Sequence, residues 1–283
     1  MKISEVISKM KAYHKGEYNG IKIDDTTSRD QVLYGNPDKE CTGIVTTCWA
    51  TVDVIRQAHK LGYNFIICHE ALFWNHGDKT DWLINQNNIT FAKKKKLLDE
   101  TGIVVWRDHD YIHSGIPMGD SYVDGIFYGV AKKLGWEDYM MDGNSLNMIF
   151  HIPATTARQV GQLMVEKYNL NGIKMMGDID AKVEKVWMAA HVFGVAEDNN
   201  FITTADSEKI DLIIPLECVD FTFSEYVRDS GMLGISKAMV MPGHFNGEEP
   251  GMEYMLTYLN DALKEEIPSV FIQSGDMYHF YWR

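Results

Sequence analysis

Apolar positions along the chain recur with two periods, and the alternation between them organises the sequence. Ile3, Val6, Ile7 and Met10 are spaced as on one face of a helix and predict an amphipathic helix at the start. Residues 18–40, rich in Gly, Asp, Thr, Asn and Pro, predict a long loop. A strand is expected at 43–47. A helix over 50–60 follows, with Val52, Ile55 and Ala58 on one face and Gly62 as its stop. Phe65, Ile66, Ile67 and Cys68 are a short apolar run between polar residues, which reads as a parallel strand covered on both faces. Residues 77–79 are a turn. Residues 82–100 are a long, mostly polar helical stretch, interrupted near its middle. A strand at 102–106 leads into RDHDYIHSGIPMGDSYVDG, where Asp120 is placed to cap a helix reaching residue 134.

After Gly135 the pattern restarts. Strands are expected at 146–152, 183–191, 210–216, 236–241 and 269–273, and helices at 155–168, 221–230 and 248–263. Alternating strands and helices predict an α/β protein: two related α/β lobes with mostly parallel sheets covered by helices. The first lobe is expected to hold residues 1–135, completed by 240–283, and the second residues 136–239.

Composition adds little to this picture and excludes some functions. A length of 283 residues suits two lobes, and 45% hydrophobic with 24% charged residues is ordinary for a globular protein. The net charge of -13 argues against nucleic acid or an anionic membrane as partner, since both need a basic face. Cys41, Cys48, Cys68 and Cys218 form no CxxC, and buried free thiols in a reducing cytoplasm are expected. The charged N-terminus lacks a signal-peptide core, and no apolar run approaches the length of about 20 residues needed to span a membrane.

The chemistry gathers behind apolar strands. His69-Glu70, then His109-Asp110-Tyr111-Ile112-His113, then His244-Phe245-Asn246-Gly247-Glu248 each follow such a run. Ligands in α/β sheets sit at the carboxyl ends of strands. Imidazoles and carboxylates converging there are what a hydrolytic metal site requires. His69, Glu70, His113, His244 and Glu248 supply three imidazoles and two carboxylates, a set suited to two Zn, Fe or Mn ions. His109 beside them is placed to act as general acid or base, or as a hydrogen-bond partner of a ligand.

These motifs resemble the Nif-three-like dinuclear-metal-centre hexameric family, also called GTP cyclohydrolase I type 2 homologues. In that family a strand ends in His-His-Pro, matched here by His69-Glu70-Ala71. A His followed four residues later by Asp is matched by His109 and His113. Gly-His-x-x-x-Glu ahead of a helix is matched by Gly243 to Glu248, extended by Pro250-Gly251, and the closing Gln273-Ser274-Gly275-Asp276 is also alike. Glu70 thus replaces a His and His113 an Asp, which preserves the donor count. Asp108 or Asp110 is the alternative carboxylate, with His113 then behind the ligands. Cys48-Trp49 stands where the family has an acid. The resemblance implies two α/β lobes, a homohexamer, two divalent ions, and a metal-dependent hydrolase acting on a small phosphorylated or nucleotide-like molecule. A non-catalytic metal-binding scaffold or regulator is the other reading.

Several residues stand outside this set. His76 is expected on a surface loop or lining the cavity, and His191 is a candidate echo of the site in the second lobe. Glu217 ends a strand, near the site or at the surface. Ser114 and Ser121 have no GxSxG context, and no phosphate-binding Gly-rich loop is present. Lys93–Lys96 reads as a solvated helix face. The 16 methionines read as core packing, and the aromatic run 278–282 as a docked terminus.

Overall fold

A computed structural model describes residues 1–141, 148–194 and 197–281. The chain divides into two compact units, Met1–Gly129 with Gly251–Ser274, and Val130–Pro250 with Gly275–Arg283. Each unit holds one five-stranded sheet with helices, the two-lobed α/β architecture read from the sequence.

In the first unit the strand order is Ser269–Phe271, Ile44–Thr47, Phe65–Cys68, Val104–Arg107 and Val32–Tyr34. The first four run parallel, with Val45 opposite Val270 and Ile66, and Ile66 opposite Val105. Ile44–Thr47, Phe65–Cys68 and Val104–Arg107 are buried at every position, although Thr46, Thr47 and Arg107 are polar. Val32–Tyr34 lies antiparallel at the edge, inside the expected loop. It is short, only partly buried and irregular in register, so it carries no apolar signal.

Thr51 caps the helix Val52–Leu61 by accepting from the Val54 N–H at 3.1 Å. Val54, with Ile55 and Ala58, joins the core against Val45, Ile66 and Val105, while Val52 is only half-buried. The stretch 82–100 is two helices, Asp81–Asn85 and Ile89–Thr101, restarted by Asn88, which accepts from Phe91 N–H at 2.9 Å. Lys93, Lys95 and Lys96 are exposed as expected. Lys94 is not: its Nζ donates to the Leu72 carbonyl at 2.7 Å under the rings of Trp49, Phe73 and Trp74. Burial pushes its pKa down to about 8.

The helix Gly125–Leu134 is capped by Asp124, not Asp120. Asp124 Oδ1 accepts from Ile126 and Phe127 N–H, whereas Asp120 sits in the turn of the hairpin Ile116–Met118 and Ser121–Val123. The late helix begins earlier than its apolar stripe, at His244, and runs to Tyr254, followed by the turn Met255–Thr257 and the helix Leu259–Leu263. A Cβ on Gly251 would lie 2.4 Å from Ile126 Cα, so the Pro250-Gly251 step marks a close helix approach.

The second sheet has the order Lys174–Gly177, Ala238–Met241, Leu212–Ile213, Lys182–Met188 and Met148–Thr156. Its three central strands are parallel and its two edges antiparallel. The strand expected from residue 146 begins at Met148, and 146–147 lie outside the described residues. Trp187, Ile213, Met239, Phe223 and Val227 share its core. The helix Asp198–Ser207 has no sequence signature, because its Asp, Asn and Thr residues give no apolar stripe. The strand expected at 210–216 breaks at Pro215, which has no N–H. It resumes as Glu217–Cys218, paired parallel with His191–Val192, His191 opposite Glu217.

All four cysteines are free, with Cys48 and Cys68 buried. No helix among the described residues is long and apolar enough to cross a membrane.

Candidate metal centre

The parallel strands Phe65–Cys68 and Val104–Arg107 end side by side, with Cys68 opposite Arg107. The residues that follow them therefore emerge together. The His69 and Glu70 N–H groups donate to the Cys48 carbonyl, and the Asp108 N–H donates to that of Cys68. The chain then enters the short helix Asp110–Ser114, which sets His109 and His113 one turn apart. Asp30 fixes this turn. Its carboxylate accepts from the N–H groups of His109, Asp110 and Tyr111 at 2.9–3.2 Å. Burial nevertheless raises the Asp30 pKa against those three donors.

His69, His109 and His113 come together at this edge, each offering a ring nitrogen within 4.8 Å of the others. The rings of His69 and His109 stack with centroids 4.6 Å apart, and His113 stands edge-on to both. All three Nδ1 atoms face an oxygen acceptor. His69 Nδ1 meets the Asp108 carbonyl at 3.0 Å, His109 Nδ1 meets Asp110 Oδ1 at 2.8 Å, and His113 Nδ1 meets Asp124 Oδ2 at 2.8 Å. A proton on Nδ1 satisfies each contact and leaves the lone pair on Nε2. This is the tautomer and the outer support that a metal-bound histidine needs. Burial, assisted by His113 and Arg107, pushes the His109 pKa down to about 4 despite the Asp110 contact, so the ring is neutral at pH 7. Three converging imidazoles fit a divalent ion of the Zn, Fe or Mn type.

His109 thus stands among the three imidazoles, as His113 does, while Asp108 and Asp110 stand behind them. The Asp108 side chain is fully buried, 3.8 Å from His14 Nε2. Burial and the neighbouring Asp30 raise its pKa well above the carboxylate range. Burial pushes Asp110 up, but its contacts with the His109 ring and the Arg29 N–H bring it down to about 2. Glu70 Oε2 lies 3.7 Å from a guanidinium nitrogen of Arg107. Arg107, itself buried, donates to the carbonyls of His69 and His76 and to Asp78 Oδ2, and so ties the segment after His69 to the strand beside it. His76 is no loose loop residue. Arg29 Nε donates to its Nε2 at 2.8 Å, and Arg107 lies 3.2 Å from its Nδ1. Ser114 donates to the Tyr111 carbonyl and accepts from Gly16 N–H, a structural role.

In the second unit His244 and Glu248 lie one helical turn apart, with His244 Nε2 3.2 Å from Glu248 Oε2. Glu217 holds two imidazoles at once, His191 Nδ1 at 3.0 Å and His244 Nδ1 at 2.8 Å. Its pKa, which burial would raise, is brought down to about 2 by those two rings. His191, Glu217 and His244 form a second cluster of potential metal donors, so His191 belongs to a candidate cluster within its own unit. A cavity of about 160 Å³ adjoins it, lined by Lys174, Glu217, Cys218, His244 and Tyr278 among others. Of the aromatic tail, Phe280 packs over Gly172, where a Cβ would meet its ring at 2.9 Å. Tyr281 is fully exposed, and position 282 lies outside the described residues.

Of the expected set, His69, Glu70 and His113 belong to the first unit and His244 and Glu248 to the second. Asp30, Asp124 and Arg107 are absent from the sequence-predicted residues. Asp124-Gly125 ahead of the apolar Ile126, Phe127 and Val130 is a capping signal that finds Asp124. Asp30 sits in a polar loop with no pattern to mark it.

The sequence matches the family Duf34/NIF3 (NGG1p interacting factor 3) over residues 1–276. The chain belongs to this family. No curated protein matches it in sequence. Among solved structures it resembles a hypothetical protein of Staphylococcus aureus at 15% identity, covering 100% of this chain and 99% of that one, with a TM-score of 0.67. It also resembles a Bacillus cereus protein related to NIF3, at 15% identity, 99% coverage of each chain and a TM-score of 0.62. Reduced HcgD from Methanocaldococcus jannaschii is similar at 15% identity, covering 95% of this chain and 97% of that one, with a TM-score of 0.62. These likenesses establish the NIF3 fold for both units.

Proposed function

We propose that this NIF3-family chain is a metal-dependent hydrolase that binds a divalent ion through His69, His109 and His113. The observation that carries the reading is the common arrangement of the three imidazoles, each with Nδ1 within hydrogen-bond distance of an oxygen and each offering a ring nitrogen within 4.8 Å of the others. Glu70 is the adjacent carboxylate of the set, and His244 and Glu248 are proposed ligands on the second unit. A divalent ion there would acidify a bound water and polarise a phosphoryl group or an amide-like ring carbon. The chain's own residues supply the rest. Asp110 and Asp124 hold two rings in orientation, and the Asp108 carbonyl holds the third. His109 acts as a ligand in this reading, because its Nδ1 is tied to Asp110. The substrate class is a small phosphorylated or nucleotide-like molecule, and two ions, a homohexamer and a cytoplasmic setting belong to the same proposal.

One observation favours a non-catalytic scaffold instead. His69 is fully buried and His113 nearly so, as in a closed structural site. The two readings separate in one experiment. The chain is loaded with Zn, Mn or Fe(II) and screened against phosphate monoesters and nucleotides, beside His109→Ala and His113→Ala. Metal-dependent turnover lost in both variants is expected. Full metal binding with no turnover on any substrate would favour the scaffold.

A further inference from the structure

Arg29 and Arg107 both reach His76, yet they are held in different ways. Arg107 is buried and paired with Asp78 Oδ2 at 2.8 Å, with Glu70 at 3.7 Å. Arg29 is half-buried, and its backbone N–H is fixed by Asp110 Oδ2 at 2.9 Å. Among the described residues its guanidinium hydrogen-bonds through Nε, to His76 Nε2. Among the described residues no carboxylate lies within ion-pair distance of that guanidinium, so its two terminal nitrogens keep their donors. The His76 ring orients the fork without forming an ion pair with it, and the Asp110 carboxylate at the Arg29 backbone N–H tempers the guanidinium charge without pairing it.

The position is close to the cluster. The His76 ring lies 5.8 Å from that of His109, which stacks on His69. Asp78 and Glu70 lie against Arg107, and Asp110 lies 2.8 Å from His109 Nδ1 while it accepts from the Arg29 N–H. We propose that Arg29, oriented by His76, binds the phosphate-type oxyanion of a small phosphorylated substrate beside the three-histidine cluster. This deepens the hydrolase reading for its substrate, but the anion contact itself needs no metal.

The test is calorimetric titration of inorganic phosphate and of phenyl phosphate into the wild-type chain, Arg29→Ala, Arg29→Lys and Arg56→Ala. Arg56 is an exposed control paired with Asp53. Arg29→Ala is expected to weaken both anions by about tenfold or more, on the scale of a lost charged hydrogen bond. Arg29→Lys, which keeps the charge but not the fork, is expected to weaken them less, and Arg56→Ala not at all. Should Arg29→Ala fail to fold by circular dichroism, Arg29→Lys reads the loss of the fork. Equal binding by wild type and both Arg29 variants would overturn the assignment, as would no binding by the wild type. Arg29-dependent binding of phosphate without that of the ester would make this a free-phosphate site and overturn the substrate assignment. Arg29-dependent binding of both anions by a chain that takes up no metal would leave this inference standing while removing the metal centre.

Discussion

Asp124 holds His113 and starts the next helix with one carboxylate. Its Oδ2 lies 2.8 Å from His113 Nδ1, and its Oδ1 accepts from the N–H groups of Ile126 and Phe127 at 2.9 and 3.0 Å. The fold thereby fixes the tautomer of one cluster histidine as a by-product of capping a helix.

Asp124→Asn separates these roles. The amide oxygen can still cap, but the amide nitrogen then faces His113 Nδ1 as a donor and moves the ring proton to Nε2. Metal affinity is expected to fall by about 10- to 100-fold, while stability changes by less than about 1 kcal/mol. Competition with a coloured chelator and a urea melt measure the two. Wild-type metal affinity in Asp124→Asn would remove the supporting role assigned to Asp124.

His14 gives the protein an acid-side weakness. The ring is fully buried beside Asp108, with Tyr258 and Tyr13 packed near it, and burial pushes its pKa down to about 3. The folded value lies below the unfolded one, so the unfolded chain takes up the proton first. His14 therefore costs stability as pH falls below about 6.5, down towards the folded value. Asp108 works in the opposite sense, because its folded pKa is raised and its stabilising share is lost as pH rises. Between pH 7 and 5, replacing His14 by Leu is expected to remove roughly 2 kcal/mol of the wild-type loss of stability. Urea unfolding at the two pH values reads this directly, and an equal loss in both chains would sink the idea.

Gly251 is where two helices meet without room for a side chain. A methyl group there would lie 2.4 Å from Ile126 Cα, and backbone cannot swing aside as a side chain can. Gly251→Ala is expected to cost about 1–3 kcal/mol or more. Gly62→Ala, in open space at φ +76°, should cost only backbone strain of about 1 kcal/mol. Thermal melts of the two variants should rank them in that order.

The first unit was legible because its strands Ile44–Thr47, Phe65–Cys68 and Val104–Arg107 are buried on both faces and read as mostly apolar runs. His69, His109 and His113 were legible because they directly follow two of those runs. What stayed hidden depends on partners distant in sequence. Asp30 meets His109 across 79 positions, and nothing in its own loop announces the contact. His191 and Glu217 meet only because a two-residue parallel pairing sets them opposite each other. The start of the late helix was missed since His244, Asn246 and Gly247 carry no apolar stripe, although the Gly-His-x-x-x-Glu spacing marked the residues themselves.

The most direct test of the metal centre is elemental analysis of metal per chain, on untagged protein purified without chelator, for the wild type, His69→Ala and His113→Ala. The account predicts about two Zn, Fe or Mn per chain in the wild type, and the loss of about one of them in both variants, with the fold retained by circular dichroism. A wild type that takes up no metal even after add-back, or variants that keep the wild-type content, would contradict it.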